Sequence, residues 1–396
     1  MIRPADTPVI DTSPSAPHAP VPRPDLTIVV PDGESHYALP VVTSLARSAR
    51  HRVHVVSSDP AARVRWSRHI ASFTAAPAGD GARWDAMRGV VDRVGADVVL
   101  PVCETGVRML QSRRDALAGR VALPPCAGTL DVGDKWLLAA MLREQGIPHP
   151  ATLLYDGDAA RLDAFPVLVK PRRSSGGHGI RAFHDRASLA AWIARHPERA
   201  HAYVVQAFVP GHDVGANVLC RDGRVLAHSL QRPVAGSRGY DVATEVEMID
   251  HPGADALLRR LVASLGWSGV ANVDLRVDER DGRVTVLEVN PRYWSSLLAA
   301  DAAGVPFPHL ACLAARGIEF QPPRARLQRF VQAGASARAW GRWLTGRTPD
   351  APAFHDTVWP YLLADPMPHL MGRLAAVSRP SHRDGARGIR CVVARA

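Results

Sequence analysis

From residue 26 onward, the apolar and polar positions group into short apolar runs and longer amphipathic stretches. Leu26–Val30 (LTIVV) is an apolar run closed by Pro31-Asp32-Gly33, Tyr37–Ala49 reads as a helix, and Arg52–Ser57 (RVHVVS) as a second strand. Trp84–Val94 is helical, Asp97–Val102 (DVVLPV) is a strand, and Gly106–Leu117 is helical again. Alternating elements of this length predict a parallel sheet with helices on its faces. Further along, Gly133–Gly146 is an amphipathic helix with Asp134 as N-cap and Gly146 just past its end. Pro166–Pro171 (PVLVKP) and Ala202–Val209 are strands, the second ended by Pro210-Gly211. Leu257–Leu265 is a helix, Val270–Val277 and Arg283–Asn290 form a hairpin, and Ala299–Gly317 is mostly helical. Leu327–Trp343 carries Phe330, Val331, Trp340 and Trp343 beside Arg329, Arg338 and Arg342, the pattern of a helix that packs its aromatics in a core or lies at an interface.

Composition narrows the class. The 396 residues are 46% hydrophobic and 22% charged, which excludes a wholly disordered chain. No apolar run reaches the roughly 20 residues that cross a bilayer. The five cysteines are scattered without a CxxC pair, which argues against a disulfide framework or zinc ribbon and suits a reducing cytoplasm. Residues 1–24 hold seven prolines and few large apolar groups, so a disordered tail is expected there, without the apolar segment of a secretion signal. The formal charge is +10; residues 316–396, with 13 arginines against five acids, account for +8 of it. That stretch is read as a solvated basic surface or as contact with an acidic partner. It holds no nucleic-acid motif, and no nucleic acid partner is expected. Lys135 and Lys170 are the only lysines beside 46 arginines, and Asn217, Asn272 and Asn290 are the only asparagines. In so arginine-rich a chain, these five sit where arginine or aspartate would fail, because lysine is a compact ammonium and arginine a wide planar fork.

Three segments carry candidate chemistry. In the hairpin, Asp281-Gly282 marks the turn. Pairing residues whose numbers sum to 562 sets Asp274 opposite Glu288 and Asn272 opposite Asn290 on one face, with Val273, Leu275, Val277, Leu287 and Val289 on a core face. Two facing carboxylates repel unless a cation joins them. Oxygen ligands of this kind suit Mg²⁺; a polar face neutralised by Arg276 is the other reading. In Val167–Ile180, a strand ends at Lys170 and a loop with Ser174, Ser175, Gly176, Gly177 and Gly179 follows, where backbone N–H groups can cradle phosphate. The order is not that of a P-loop, and His178 is expected to face solvent. In Gln206–Asp213, backbone groups at a strand end can read an adenine edge and Asp213 can accept from ribose hydroxyls. No GxGxxG follows the first strand, so a dinucleotide site there is unsupported. Glu104, just past the DVVLPV strand, is a candidate substrate contact by position or a cap of the next helix.

Lys135 on a helix, Lys170 before a glycine-rich loop, Gln206–Asp213, then Asp274, Glu288 and Asn290 in EVNPR: in this order and spacing the chain resembles the ATP-grasp superfamily from about Gly128 to Gly317. The run NPRYWSSLLAADAAGVPFPHLACLAARG resembles its carboligase-like carboxylate–amine ligases. The resemblance implies an N-terminal parallel α/β domain (25–127), an ATP-grasp fold of two α+β subdomains clasping ATP (128–317) and a basic C-terminal extension (318–396). It also implies roles. Lys135 and Lys170 would contact the ATP phosphates, and Gly176, Gly177 and Gly179 would form a flap over them. Gln206, Phe208 and Val209 would hold adenine; the family more often has Glu at the Gln206 position. Asp213 would hold ribose, and Asp274, Glu288 and Asn290 two Mg²⁺ ions, with Mn²⁺ as substitute. Arg292, with Lys170 a catalytic candidate, would bind the transferred phosphate or the substrate carboxylate, and Ser295 the substrate.

The implied reaction is ATP-dependent activation of a carboxylate as acyl phosphate, followed by joining to an amine of an amino acid or small peptide. Its implied setting is the cytoplasm, with a homodimer compatible. Specificity is expected around Glu104, the loop Arg232–Glu245 with Arg238, and Tyr293–Ser296. The alternatives are a carbamoyl- or carboxy-phosphate-forming relative, disfavoured because no biotin or glutaminase module is evident, and a non-catalytic ATP-binding module docked on an acidic partner.

Overall fold

The computed structural model describes residues 21–77, 79–117, 119–121, 132–155, 164–174, 177–234 and 243–378. Residues 1–20 of the proline-rich segment, Cys126, the boundary at Gly128, Ser175, Gly176, Arg238 and Cys391 lie outside them.

The first unit is built from β1 (Thr27–Val30), α1 (Ala38–Ser48), β2 (Arg52–Ser57), β3 (Ser72–Ala75), α2 (Asp80–Val94), β4 (Val98–Val99) and α3 (Glu104–Gln111). Its strands are parallel in the order β3-β2-β1-β4, as the alternating pattern predicts. β4 is shorter than the expected Asp97–Val102 for a local reason. Leu100 still donates to the Val29 carbonyl, but Pro101 has no N–H, and the N–H groups of Val102 and Cys103 go to the buried Asp32 carboxylate at 2.8–3.1 Å. Burial pushes the Asp32 carboxyl up to about 6 against the lowering pull of those donors. The predicted helix Gly106–Leu117 ends early, giving way to a 3₁₀ turn at Arg114–Leu117.

The second unit holds α4 (Lys135–Glu144), β5 (Thr152–Leu154), β6 (Val167–Pro171), β7 (Arg181–Phe183), α5 (Arg186–Arg195) and β8 (Tyr203–Ala207), with an antiparallel sheet ordered β5-β8-β6-β7. The third holds β9 (Gly211–Arg221), β10 (Arg224–Pro233), β11 (Glu245–Ile249), α6 (Pro252–Ser264), β12 (Gly269–Asp278), β13 (Val284–Asn290), α7 (Leu297–Ala302), α8 (Phe307–Ala315) and β14 (Arg329–Val331). Its antiparallel sheet runs β13-β12-β9-β10-β11-β14. Helices α9 (Ala333–Leu344), α10 (Trp359–Ala364) and α11 (Met367–Ser378) follow. This is an α/β unit followed by two antiparallel-sheet units and C-terminal helices, the arrangement the resemblance implies.

Several expectations are corrected. Pro210-Gly211 does not lead the chain away: Gly211, at φ +129°, opens β9, the strand at the centre of the large sheet. The expected single helix Leu327–Trp343 splits, because Phe330 is buried opposite Val246 as β14 extends the sheet and the helix begins only at Ala333. The boundary expected at 317/318 therefore falls inside one packed body. One apolar cluster joins Ile28 and Val41 of the first unit to Phe307, Phe330 and Tyr361. Residues 21–24, expected in the disordered tail, are docked. Val21 packs on that cluster, and the Pro22 carbonyl meets His309 Nε2 at 2.7 Å, whose Nδ1 pairs with His51 at 2.9 Å.

Candidate functional site

A cleft of about 740 Å³ lies between the two antiparallel sheets, with His36 and Tyr37 of the first unit at one end. Both lysines reach this region, and one carboxylate ties their segments together. Asp134 caps α4 by accepting from the N–H groups of Trp136 and Leu137, the predicted capping role, worth about 1 kcal/mol. The same carboxylate grips Arg172 at 2.8 Å, and the Arg172 carbonyl accepts from the Lys135 N–H. Burial works against the Asp134 charge, but Arg172 and the two helix N–H groups prevail and hold its carboxyl below the usual range. The start of α4, which bears Lys135, is thus clamped two residues beyond Lys170.

Lys135 Nζ donates to the Ser174 carbonyl at 3.1 Å and stands 3.7 Å from Glu288 Oε2. Lys170 Nζ donates to Gln206 Oε1 at 2.8 Å, and Gln206 Nε2 donates to Thr152 Oγ1 at 3.0 Å. The Gln206 carboxamide is therefore engaged by lysine. Being neutral, it gives Lys170 no counter-charge. Burial, with the Lys135 charge adding to it, brings Lys170 down to about 8.

The hairpin keeps its predicted register where it matters: Asn272 faces Asn290, Val273 faces Val289 and Asp274 faces Glu288. A bulge follows, so Leu275 pairs with Val286. The bulge corrects one assignment. Leu287, expected in the core, lines the cleft beside Glu288, and Val286 takes the core position. Asp274 is driven upward by burial and then by the facing Glu288 charge, with Arg292 and Lys135 pulling the other way. Asn290 Oδ1 accepts from Arg292 Nη2 at 3.0 Å. Arg276 does not neutralise this acidic pair. It binds Asp213 at 2.7 Å and the Val209 carbonyl at 2.9 Å, and its guanidinium stands 5.6 Å from the centre of the Phe208 ring.

Gly177, His178, Gln206, Phe208, Val209, Asp213, Asp274, Glu288, Asn290, Arg292 and Ser295 all line the cleft with Lys170. His178, expected to face solvent, is exposed as expected and stands at the cleft's edge. Gly179 adjoins at φ +79°, where a Cβ would press on Pro171 Cγ. Glu104 is not in this lining; it begins α3 and pairs with Arg108 at 3.2 Å. Tyr293 points into the core, leaving Trp294, Ser295 and Ser296 of its segment at the cleft. Sequence reading missed Tyr37, which stacks 4.9 Å from the Arg292 guanidinium, and Gln231, which donates to Ser296 Oγ at 2.6 Å. Neither carries a local signal, since each reaches the cleft only through packing of distant segments.

The donor set fits a hard cation. Among the described residues no cluster of three His, Cys, Asp or Glu side chains could hold a metal ion. An ion here would rest on two carboxylates and the Asn290 amide oxygen, the oxygen chemistry Mg²⁺ takes. The mutual repulsion that lifts Asp274 is what a dication would relieve.

The comparisons agree with this geometry. Residues 132–296 match the ATP-grasp domain family model. The chain is 30% identical over 234 residues to a D-alanine–D-alanine ligase of Synechococcus sp., covering 53% of this chain and 71% of that protein. It is 28% identical over 192 residues to an arginine-specific carbamoyl phosphate synthase large chain of Geobacillus stearothermophilus, covering 43% of this chain but only 17% of that protein. Among solved structures, an L-amino acid ligase from Bacillus licheniformis superposes at TM-score 0.54 with 17% identity, covering 77% of this chain and 78% of the other. The N5-carboxyaminoimidazole synthetase of Staphylococcus aureus, complexed with ADP, does so at 0.63 with 13% identity, covering 83% and 88%. The chain belongs to the ATP-grasp superfamily of carboxylate–amine ligases. No described helix is long and apolar enough to cross a membrane.

Proposed function

We propose that this protein is an ATP-dependent ligase that activates a carboxylate and joins it to the amine of an amino acid or small peptide, in the cytoplasm. The observation that carries the reading is that Lys170 lines one cleft with a register-paired Asp274 and Glu288, while Lys135 adjoins it 3.7 Å from Glu288 Oε2. In this reading Lys135 and Lys170 hold the phosphates, and the glycine loop around Gly177 and Gly179 covers them. Phe208, Val209 and Leu287 bracket adenine. Asp213, oriented by Arg276, takes the ribose, and Gln206 steers Lys170. Asp274, Glu288 and Asn290 would hold Mg²⁺, which supplies charge neutralisation to the triphosphate.

The chemistry follows from charge. A substrate carboxylate oxygen attacks the γ-phosphorus, the new O–P bond forms as the bond to the β-phosphate oxygen breaks, and ADP leaves. Lys135, Lys170 and Arg292 stabilise the anions that approach and depart. The amine nitrogen then attacks the acyl carbonyl, the C–N bond forms, the C–O bond to phosphate breaks, and the amine proton is lost. Arg292, held by the Asn290 oxygen and the Tyr293 carbonyl, and Ser295 lie where the carboxylate would sit.

The test is an ADP-release screen over amino-acid pairs, with bicarbonate as a separate arm and mass detection of products. Mg²⁺-dependent ADP release with an amide-linked product is expected. ADP release driven by bicarbonate alone would move the protein to the carboxy-phosphate branch, and no release with any acceptor would remove the ligase reading.

A further inference from the structure

The chain's only three asparagines stand in one line. Asn217 on β9, Asn272 on β12 and Asn290 on β13 are direct cross-strand partners, and Ser229 on β10 extends the row. Their side chains are bonded in sequence. Asn290 Nδ2 donates to Asn272 Oδ1 at 3.3 Å, Asn272 Nδ2 to Asn217 Oδ1 at 3.1 Å, and Asn217 Nδ2 to Ser229 Oγ at 3.3 Å. Asn217 is fully buried and Asn272 nearly so, and an amide in such a place is costly unless both its ends are bonded. The contacts at the cleft end share the row's polarity. The Arg292 guanidinium can only donate, so it must meet the Asn290 oxygen, while the Asp274 carboxylate 3.4 Å from Asn290 Nδ2 can only accept.

We infer that Asn272, backed by Asn217, is a positioning residue that commits the Asn290 amide oxygen to the cation side of the cleft. This rests on the proposed metal site. Asn272 takes the nitrogen of Asn290, and Asn217, by accepting from Asn272 Nδ2, holds Asn272 in the amide rotamer that leaves its oxygen as the acceptor. The Asn290 oxygen, with one lone pair on Arg292, keeps the other for an ion. Aspartate at 272 could accept from Asn290 but not donate to Asn217, and leucine could do neither. Ordinary burial would rank these two replacements the opposite way, because a sheet interior tolerates leucine better than a third carboxylate beside Asp274.

The experiment is Mn²⁺ binding to the full-length protein with ADP, read by electron paramagnetic resonance, alongside ADP binding without metal. Asn272→Leu is expected to weaken Mn²⁺ binding by about 10- to 100-fold, the usual cost of losing a partner behind a metal ligand, with metal-free ADP binding unchanged. Asn272→Asp is expected to stay much closer to the parent protein. Should Asn272→Leu not fold, Asn217→Ala breaks the row one strand further back and is expected to weaken Mn²⁺ binding by about tenfold. Parent-like Mn²⁺ affinity in the folded leucine or Asn217→Ala variant, or an Asn272→Asp loss as large as that of leucine, would overturn the positioning role. A parent protein that binds no Mn²⁺ would instead overturn the metal reading beneath it.

Discussion

Lys170 shows how much a single side chain decides here. Its ammonium is buried against a neutral carboxamide and beside Lys135, so it holds its proton only to about pH 8, against an ordinary 10.5. Below about 8 the group is charged and available to phosphate; as pH rises through that value the charge is lost, and ATP affinity should fall by up to about tenfold per unit. In the protein without nucleotide, the cost of the buried ammonium is relieved over the same rise from about 8 toward 10.5, so stability should increase slightly across that window. Calorimetric ATP titrations from neutral to alkaline pH check the first; a flat profile would contradict it. Lys170→Arg should lose most ADP formation although charge is kept, since a wide planar fork does not replace a compact ammonium buried against Gln206. Full activity there would leave codon preference as the whole explanation of the lysines. This scale was the most legible. The scarcity of lysine and asparagine in an arginine-rich chain pointed to Lys170 in the cleft, to Lys135 beside it at Glu288, and to asparagines that form one hydrogen-bonded row ending there. The role of Gln206 was not legible, because its partner, Lys170, lies on a neighbouring strand whose register the sequence does not specify.

At the scale of elements, the hairpin register followed from its turn and alternation, and Asp274 opposite Glu288 came with it. The bulge that swings Leu287 into the cleft did not, since nothing in VTVLEVN marks where a residue is inserted. β9 was lost for a related reason. Pro210-Gly211 has turn composition, yet Gly211 at φ +129° is the opening residue of the central strand, packed where a Cβ would strike the Val277 carbonyl oxygen. Gly211→Ala should therefore cost about 2 kcal/mol or more of stability, measured by chemical denaturation. A loss of only a few tenths would show that this corner can relax. Likewise, Leu327–Trp343 has helical spacing, but the burial of Phe330 against the sheet edge outweighs it.

At the scale of the whole molecule, the alternation of strands and helices conveyed the N-terminal α/β unit, and the resemblance carried by Lys135, Lys170, Gln206–Asp213 and EVNPR conveyed the ATP-grasp body. The interweaving of the two was not readable. Tyr37 of the first unit stacks on Arg292 of the last sheet's edge, and Tyr361, near the C-terminus, bonds Asp301 and packs under Arg47. Such contacts depend on how finished elements dock, and no local pattern encodes them. The assembled cleft makes one central claim, that the acidic hairpin face and the two ammonium groups together bind a metal–nucleotide complex. The most direct measurement is titration of a non-hydrolysable ATP analogue, with and without Mg²⁺, into the parent protein and Glu288→Gln. The account predicts binding that strengthens markedly with Mg²⁺ in the parent and loses that Mg²⁺ dependence in the folded variant; equal, Mg²⁺-independent affinities in both would contradict it.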